Sequence, residues 1–249
     1  MSGRLLTQPS VNAVVGTLVR ILAPGGIGEA VGGLLDAAGH EHRRVALEIW
    51  AAELSDHPDV TAEQIASDPK LFATFTVANV IQRAQTHDRI SLFARLHANF
   101  LRGTGVQTPD DFKEFVRLLD DLSEREFQML VMLDEWSKKF AHFEYEFSGD
   151  HSVRRPPVDL HRARLLYCPN YWWLFHDEAV KRFGLSKDEV ANIVQGLPRT
   201  GLCQLQLDLA GTVAGAVTTP YFERFTAALR KYDRNGQPLE KTISIKPLV

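Results

Sequence analysis

Two histidine-rich stretches contain the residue types that bind metal ions. His40 and His42 flank Glu41, but a helix points residues at i and i+2 to different sides, so they cannot chelate one ion as an i, i+4 pair does. In the second stretch, His142, Glu144 and Glu146 alternate and would share one face if the chain were extended, with two further histidines nearby. No cysteine pair or HExxH spacing accompanies it, so the sequence favours a polar connector over a metal site. Its members are His142, Glu144, Glu146, His151 and His161.

Three other side chains could act as an acid, a base or a nucleophile. His97 lies on the apolar stripe of a predicted helix, which predicts a hydrogen-bonded core histidine. Cys168 precedes Pro169, and Cys203 lies in a predicted strand; neither has the neighbours of an activated thiol. We therefore expect no catalytic residue, no metal, no cofactor and no small-molecule substrate, and the prediction is a protein that is not an enzyme.

The segment from Lys187 to Arg199 carries side chains that can read base edges. Its outward positions include asparagine, glutamine and arginine, which match the donor and acceptor patterns of the major groove. Asp188 and Glu189 lie at the N-terminal end of the segment, however, and would repel the DNA backbone. The residues of this alternative, a DNA-binding surface, are Lys187, Asn192, Gln195 and Arg199.

The aromatic run from Tyr171 to Phe175 could stack on bases or bury a partner. Packing at an interface between domains is the interpretation that the sequence favours, since large aromatic side chains are usually buried.

Near the N-terminus, Gly28 and Gly32 form a small-xxx-small pair that allows close helix packing. The segment 11–22 predicts a short apolar helix, which ends at Pro24-Gly25-Gly26. Charged residues interrupt the apolar surface of the region, which favours a soluble hairpin. The hypothesis for a membrane role is that this hairpin, residues 11–38, inserts its Gly28/Gly32 face into a membrane after a trigger.

The elements that must position these side chains are mostly helices. Between Thr86 and Trp136 the sequence predicts three consecutive amphipathic helices with recognisable ends, among them a Thr108-Pro109 start and a capping box at Ser123–Glu126. The third helix has apolar residues over a wide face, which predicts neighbours on more than one side. These residues are Phe127, Leu130, Val131, Leu133, Trp136 and Phe140.

The C-terminal part predicts a small α+β module. Two helices, at 171–183 and from Ser186 onward, precede an alternating strand at 202–209, a return strand at 213–218 and a helix from Thr219-Pro220. Helix, helix, hairpin and helix is a winged-helix-like order.

Charge and composition complete the predicted organisation. The net charge of −3 divides into −8 for residues 1–153, +4 for 154–234 and +1 for the tail, which suggests two modules. We predict a mainly α chain with an acidic helical-bundle domain at 1–143, a connector at 144–161, a winged-helix-like domain at 162–234 and a tail at 235–249. Two cysteines and no long apolar run favour a cytoplasmic protein, membrane-associated only on activation.

Residues 77–133 resemble the core of the bacterial abortive-infection alpha family. "FARLHANFLRG" is similar to that family's "WANLLANA"-like helix, and "FKEFVRLLDDLS" to its "FVEILKQLSPLDAKLL"-like helix pair. "LPRTGLCQLQL" and "AVTTPYFERFTAAL" are similar to its "LxxLGLI" and "YxLTxLGxxF" elements, with Glu223 where a glycine is usual and Phe93 in place of the tryptophan.

The resemblance implies phage defence by arrest or death of infected cells, and it implies no catalytic residue. The expected activity is binding to a protein partner, to further copies of the chain or to a membrane. The alternative is a winged-helix transcriptional regulator that binds DNA.

Overall fold

The computed structural model describes residues 37–57, 60, 65, 70–147, 160–232 and 237–239. These residues are mainly helical and contain one small antiparallel sheet, so the predicted fold class, mainly α with a small α+β part, is confirmed. The helices are α1 (Ala37–Ser55), α2 (Lys70–Ile81), α3 (His87–Arg102), α4 (Pro109–Asp121), α5 (Glu124–Phe147), α6 (Leu160–Phe183), α7 (Lys187–Gly196) and α8 (Pro220–Leu229). A 3₁₀ turn, Leu197–Thr200, precedes strands β1 (Cys203–Leu207) and β2 (Val213–Thr218).

The chain forms two compact units. The first contains the described parts of 1–121 and 227–243, and the second those of 122–226 and 244–249. These units divide the chain differently from the predicted domains, because α5 belongs to the second unit and residues after Thr226 belong to the first. The predicted connector at 144–161 is helical at both ends, while 148–159 lie outside the described residues.

The predicted helix ends are confirmed by hydrogen bonds. The Thr86 side chain accepts from the Arg89 amide at 3.3 Å, and Gly103 ends α3 in the left-handed region with φ 69°. Thr108 caps α4 in the same way. The capping boxes at Ser123–Glu126 and Ser186–Glu189 are both complete.

In the first unit, three helices are joined by a hydrogen-bonded chain through a buried histidine. Trp50 Nε1 of α1 donates to His97 Nδ1 of α3 at 3.1 Å. His97 Nε2 lies 3.2 Å from Thr74 Oγ1 of α2. The indole N–H can only donate, so Nδ1 accepts and Nε2 carries the proton that is donated to Thr74. The prediction that His97 is a hydrogen-bonded core residue is confirmed.

Burial keeps this imidazole neutral. His97 is 0% exposed, and desolvation lowers its pKa from 6.5 to about 3. A second proton on the ring would also place an N–H against the Trp50 N–H. At neutral pH the residue therefore acts as a polar connection between helices.

The last residues of the first unit are held by α3. Asn99, 1% exposed, donates from Nδ2 to the carbonyls of Ala228 and Arg230 at 2.8 and 2.9 Å, and so caps the C-terminal end of α8. Glu53 of α1 accepts from Arg95 of α3 at 3.3 Å and lies 3.9 Å from Lys231. A side chain in α3 thus satisfies a helix end about 130 residues later in the chain.

In the second unit, α5 is the central helix. Every residue from Phe127 to Asp134 is buried, which confirms the prediction of neighbours on more than one side. Helices α6 and α7 and strand β2 pack against it. Asp134 Oδ1 accepts from Thr218 Oγ1 of β2 at 2.9 Å, and Lys138 forms an ion pair with the same carboxylate. This buried acid satisfies a polar side chain at the end of the sheet.

Helix α6 is longer than the predicted helix from Tyr171, because Pro169 lies within it. A proline inside a helix removes one hydrogen bond and usually marks a boundary. Here the helix continues, and a buried side with spacings of three and four residues runs from Cys168 past the proline. The buried residues are Cys168, Tyr171, Phe175 and Ala179.

The hairpin β1–β2 packs tightly against α6. Cys203 pairs with Thr218 and Gln206 with Gly215, and the register shifts after Gln206. Strand β1 is shorter than the predicted 202–209, since Asp208 accepts the amides of Ala210 and Thr212 and turns the chain. The predicted β2 is confirmed.

Gly215 must be glycine for this packing. A Cβ at this position would lie 3.1 Å from Cys168 Cβ, 3.2 Å from its carbonyl carbon and still closer to its Sγ. Real Cβ atoms rarely approach backbone atoms this closely, so an added methyl group would push the hairpin away from α6.

Replacing His97 by glutamine tests the buried histidine. Between pH 6.5 and about 3 the unfolded chain binds a proton that the folded chain excludes. The contribution of His97 to stability is therefore complete above pH 6.5 and is lost as the pH falls. We expect the difference in unfolding free energy between wild type and His97→Gln to shrink by about 1.4 kcal/mol per pH unit below that value.

Urea denaturation between pH 7.5 and 4.5 measures this difference. Phe112→Leu is the control, because its ring lies 6.3 Å from His97 and carries no titratable group. Its cost should be the same at every pH. If the difference in unfolding free energy for His97→Gln does not change with pH, the conclusion that buried His97 has a lowered pKa is wrong.

Gly215→Ala tests the close approach of β2 and α6. We expect the free energy of unfolding to fall by about 1–3 kcal/mol, the usual cost of overpacking a core. Gly196→Ala is the matched control, because its backbone is right-handed helical at φ −76° and an added Cβ would meet only the Arg199 side chain. Thermal and urea denaturation of both variants should show a loss for Gly215→Ala alone; equal stability of the two would contradict the packing argument.

Candidate functional site

The exposed face of α7 and of the 3₁₀ turn after it contains the residues that the sequence predicted for DNA binding. Lys187, Asn192, Gln195 and Arg199 are all exposed. The N-terminus of α7 is capped by Ser186, whose oxygen accepts from the Glu189 amide at 3.2 Å. The structure thus places these four side chains on the surface of one unit.

Both cations of this face are in ion pairs. Lys187 Nζ lies 3.0 Å from Asp177 Oδ1, and this hydrogen bond lowers the pKa of the Asp177 carboxyl. Arg199 lies 2.7 Å from Glu126 and also donates to the Gly196 carbonyl at 2.8 Å. Partial burial raises the pKa of Glu126, but hydrogen bonds from Ser123 and Arg199 outweigh it, and the net shift is downward.

Acidic groups surround the start of the same helix. The Glu189 carboxylate accepts from the Ser186 amide and hydroxyl, which lowers the pKa of Glu189 and keeps it ionised. Asp188 is exposed beside it. Negative charge stabilises a helix N-terminus, but it repels phosphate at the position where recognition helices meet DNA. Asn192 and Gln195 therefore lie between an acidic end and an arginine that is already paired.

The two cysteines are packing residues. Both are buried, and burial raises the pKa of Cys168 and of Cys203 to about 12. Cys168 Sγ donates to Gln206 Oε1 at 2.9 Å. Because the thiolate is the nucleophile, thiols with such pKa values are unreactive at neutral pH. The prediction that they behave as small hydrophobes is confirmed.

The aromatic run in α6 is divided between interior and surface. Tyr171 and Phe175 are buried, and Trp172 stacks on Phe175 with 5.3 Å between ring centroids. His176 lies edge-on to Trp172 at 4.6 Å, and burial lowers its pKa. Trp173 alone points outward, with 62% of its surface exposed. Most of the run builds the core of the second unit, and Trp173 is accessible to a partner.

Other apolar side chains of the second unit are exposed at the hairpin tip. Leu207 is 57% exposed, and Leu209 is fully exposed in the turn between the strands. Gly211, with φ 79°, allows the turn to close. The alternation at 202–209 predicted a half-buried strand but did not reveal that its distal leucines face solvent.

Sequence reasoning missed two buried polar residues, Asn99 and Asp134. Each lies within an apolar helical stretch, and a buried polar residue there requires a partner. That signal identifies such positions, but their partners, Ala228 and Thr218, are too far along the chain to be inferred from spacing.

Several predicted sites lie outside the described residues. These are Gly28 and Gly32, the N-terminal hairpin, and the side chains of His142, Glu144, Glu146, His151 and His161. Within the ranges that the structure does describe, no group of three or more histidine, cysteine, aspartate and glutamate side chains is arranged to hold a metal ion. Among the described helices, none combines the length and apolarity needed to cross a bilayer.

Comparison with known proteins gives no relative: no family model, curated protein or solved structure matches this chain.

Proposed function

We propose that the chain is a non-enzymatic phage-defence factor of the bacterial abortive-infection type that acts by binding, with a protein as the preferred partner and a membrane as the second. The resemblance of residues 77–133 and of the two C-terminal elements is what suggests defence. The observation that carries the non-enzymatic part is that His97, Cys168 and Cys203 all serve packing and hydrogen bonding.

The helices in the resemblance also serve packing. Phe93 and Ala94 of α3, and Phe112 and Phe115 of α4, are at most 1% exposed. Buried motifs of this kind specify a helical core, so the function must lie in other residues, on the surface. This supports a scaffold whose activity lies in its exposed side chains.

Protein binding is supported by the exposed apolar residues of the second unit. Trp173, Leu207 and Leu209 place large apolar surfaces in water, where tryptophan above all contributes to protein interfaces. We interpret the order α6, α7, β1, β2, α8 as a winged-helix-like module used for this purpose. In this proposal the hairpin tip and Trp173 contact the partner.

The regulator alternative uses the same module to bind DNA. Asn192 and Gln195 are exposed and chemically suited to base edges. The engagement of Lys187 with Asp177 and of Arg199 with Glu126 leaves little positive charge to attract phosphate. Protein binding is therefore the better-supported activity.

The defence proposal is tested by phage challenge of bacteria that express the full-length chain. We expect phage-dependent growth arrest, which Cys168→Ser and Cys203→Ala should retain in full because their thiols serve packing and hydrogen bonding, not catalysis. Trp173→Ser and Leu209→Ser should weaken protection at unchanged protein level. Plaque counts, cell survival and membrane potential are the measurements.

Each outcome of that experiment bears on a separate part of the proposal. Loss of protection in a folded Cys168→Ser variant would point to thiol chemistry and overturn the non-enzymatic part. If Gly28→Leu and Gly32→Leu abolish protection together with membrane depolarisation, the membrane is the target. Absence of protection against every phage tested would remove the defence proposal.

Binding of the full-length chain to duplex DNA tests the alternative. We expect only weak affinity, with Kd in the non-specific range of about 10⁻⁴ to 10⁻⁶ M at physiological salt, unchanged by Asn192→Ala or Gln195→Ala. Fluorescence anisotropy at 50 and 200 mM salt measures it. Sequence-specific binding that Gln195→Ala weakens would make the regulator the correct function.

A further inference from the structure

Helix α2 carries apolar residues on two sides, but only one side is buried. Its inner side, 0–6% exposed, packs against α3 and α4. On the opposite side, residues spaced by three and four positions form a second stripe of the kind that packs against another helix. The outer stripe consists of Leu71, Phe72, Phe75 and Thr76; Phe72 is 49% exposed and the other three are half-buried. Asn79, one turn further along, is exposed and gives the stripe a polar end.

The outer stripe has the anatomy of a small interface. Thr76 donates its hydroxyl to the Phe72 carbonyl at 2.9 Å, so its polar group is satisfied within the helix. Lys113 lies over the Phe72 ring at 4.9 Å, and Arg83, just after the C-terminal end of α2, forms an ion pair with Asp120 at 2.9 Å. An apolar centre between polar and charged groups is typical of a surface that binds another apolar surface.

We propose that this stripe binds the segment 11–22 of the same chain. That segment lies outside the described residues, and its sequence has the complementary pattern. In a helix, its apolar residues would share one side and Arg20 would lie opposite to them. The shared side consists of Val11, Val14, Val15, Leu18 and Leu22.

The length of the connecting chain fits this arrangement. The 14 residues from 23 to 36, five of them glycine, join the segment to the start of α1. A chain of this length reaches about 46 Å at most. From Ala37 to Trp50, which is joined to α2 through His97 and Thr74, α1 spans about 20 Å. These 14 residues are thus long enough for the segment to reach the outer stripe.

A tethered occupant also suits the size of the stripe. Stable interfaces between separate proteins use about 20–30 residues on each side, far more than this stripe offers. A segment tethered on the same chain meets the stripe at an effective concentration of about millimolar order, at which a weak apolar contact is occupied. The described neighbours in sequence, Val60 and Ile65, are themselves buried and do not extend the stripe. The N-terminal segment is therefore the occupant that we propose over a second copy of the chain.

Photocrosslinking of the full-length protein tests the proposal, which does not depend on the defence function. Phe72 is replaced by p-benzoylphenylalanine, which its 49% exposure tolerates, and circular dichroism verifies folding. We expect a crosslink within one chain that joins the tryptic peptide 71–83 to residues 11–22, identified by mass spectrometry. The same amino acid at Phe75, one turn along the stripe, should give the same product, and at Trp173 it should not.

A matched pair of variants tests the predicted face. Leu18→Asp should lower the crosslink yield about tenfold, the effect of losing one buried leucine. Thr17→Asp, one position away and off the apolar side, should leave it unchanged. A crosslinked dimer, a crosslink to 58–69 or 240–249, no crosslink from either stripe position, or equal effects of the two substitutions would each overturn the proposal.

Discussion

The hydrogen-bonded chain Trp50–His97–Thr74 is the interaction on which the described part of the first unit depends. Each member comes from a different helix, so α1, α2 and α3 are fixed in rotation about their axes as well as in position. A purely apolar contact would tolerate slippage, whereas a donor and an acceptor must meet at one distance. Because the imidazole is fully buried, loss of either partner would leave a polar atom without water, which costs about 1–3 kcal/mol. The rotation of α2 that buries Thr74 is the same rotation that turns Phe72 outward.

In the second unit, the close approach of the β2 backbone to α6 fixes the position of the elements in a similar way. Gly215 allows β2 to touch α6 beside Cys168, and the Asp134–Thr218 hydrogen bond fixes the other end of the strand to α5. With both ends of β2 fixed, the hairpin projects its turn, and with it Leu209, into solvent. The exposed apolar tip is thus a consequence of how the interior is packed. Its position would move with any change at Gly215.

The local features of the fold could be predicted from the sequence because their causes lie within four residues. The caps at Thr86, Ser123 and Ser186 depend on a side chain and an amide three positions later. Helix α6 runs through Pro169, which is a local signal of a helix boundary, because burial of α6 on the hairpin overrides that signal. The cap on Ala228 depends on Asn99, and no spacing rule connects positions so far apart. The division into two units follows from such distant contacts.

The candidate DNA-binding face was predicted less well, because the type of a side chain does not reveal whether a neighbouring group already pairs with it. Lys187, Asn192, Gln195 and Arg199 lie on the surface as the helical period requires. Their chemistry depends on Asp177 and Glu126, which come from other helices and neutralise the two cations. The sequence showed only the negative charge at the start of the helix, from Asp188 and Glu189. That charge also disfavours DNA binding.

Such a protein could recognise a partner in two ways, through charge or through apolar area. Recognition through charge requires cations that no neighbour neutralises, and both cations of the candidate DNA-binding face, Lys187 and Arg199, are paired within the second unit. Recognition through apolar area requires large side chains held in water by the fold, and Trp173 and Leu209 meet that condition. The two modes respond differently to salt, because screening weakens charge contacts whereas apolar burial is little affected. A partner bound by this chain should therefore remain bound at ionic strengths that dissociate most nucleic-acid complexes.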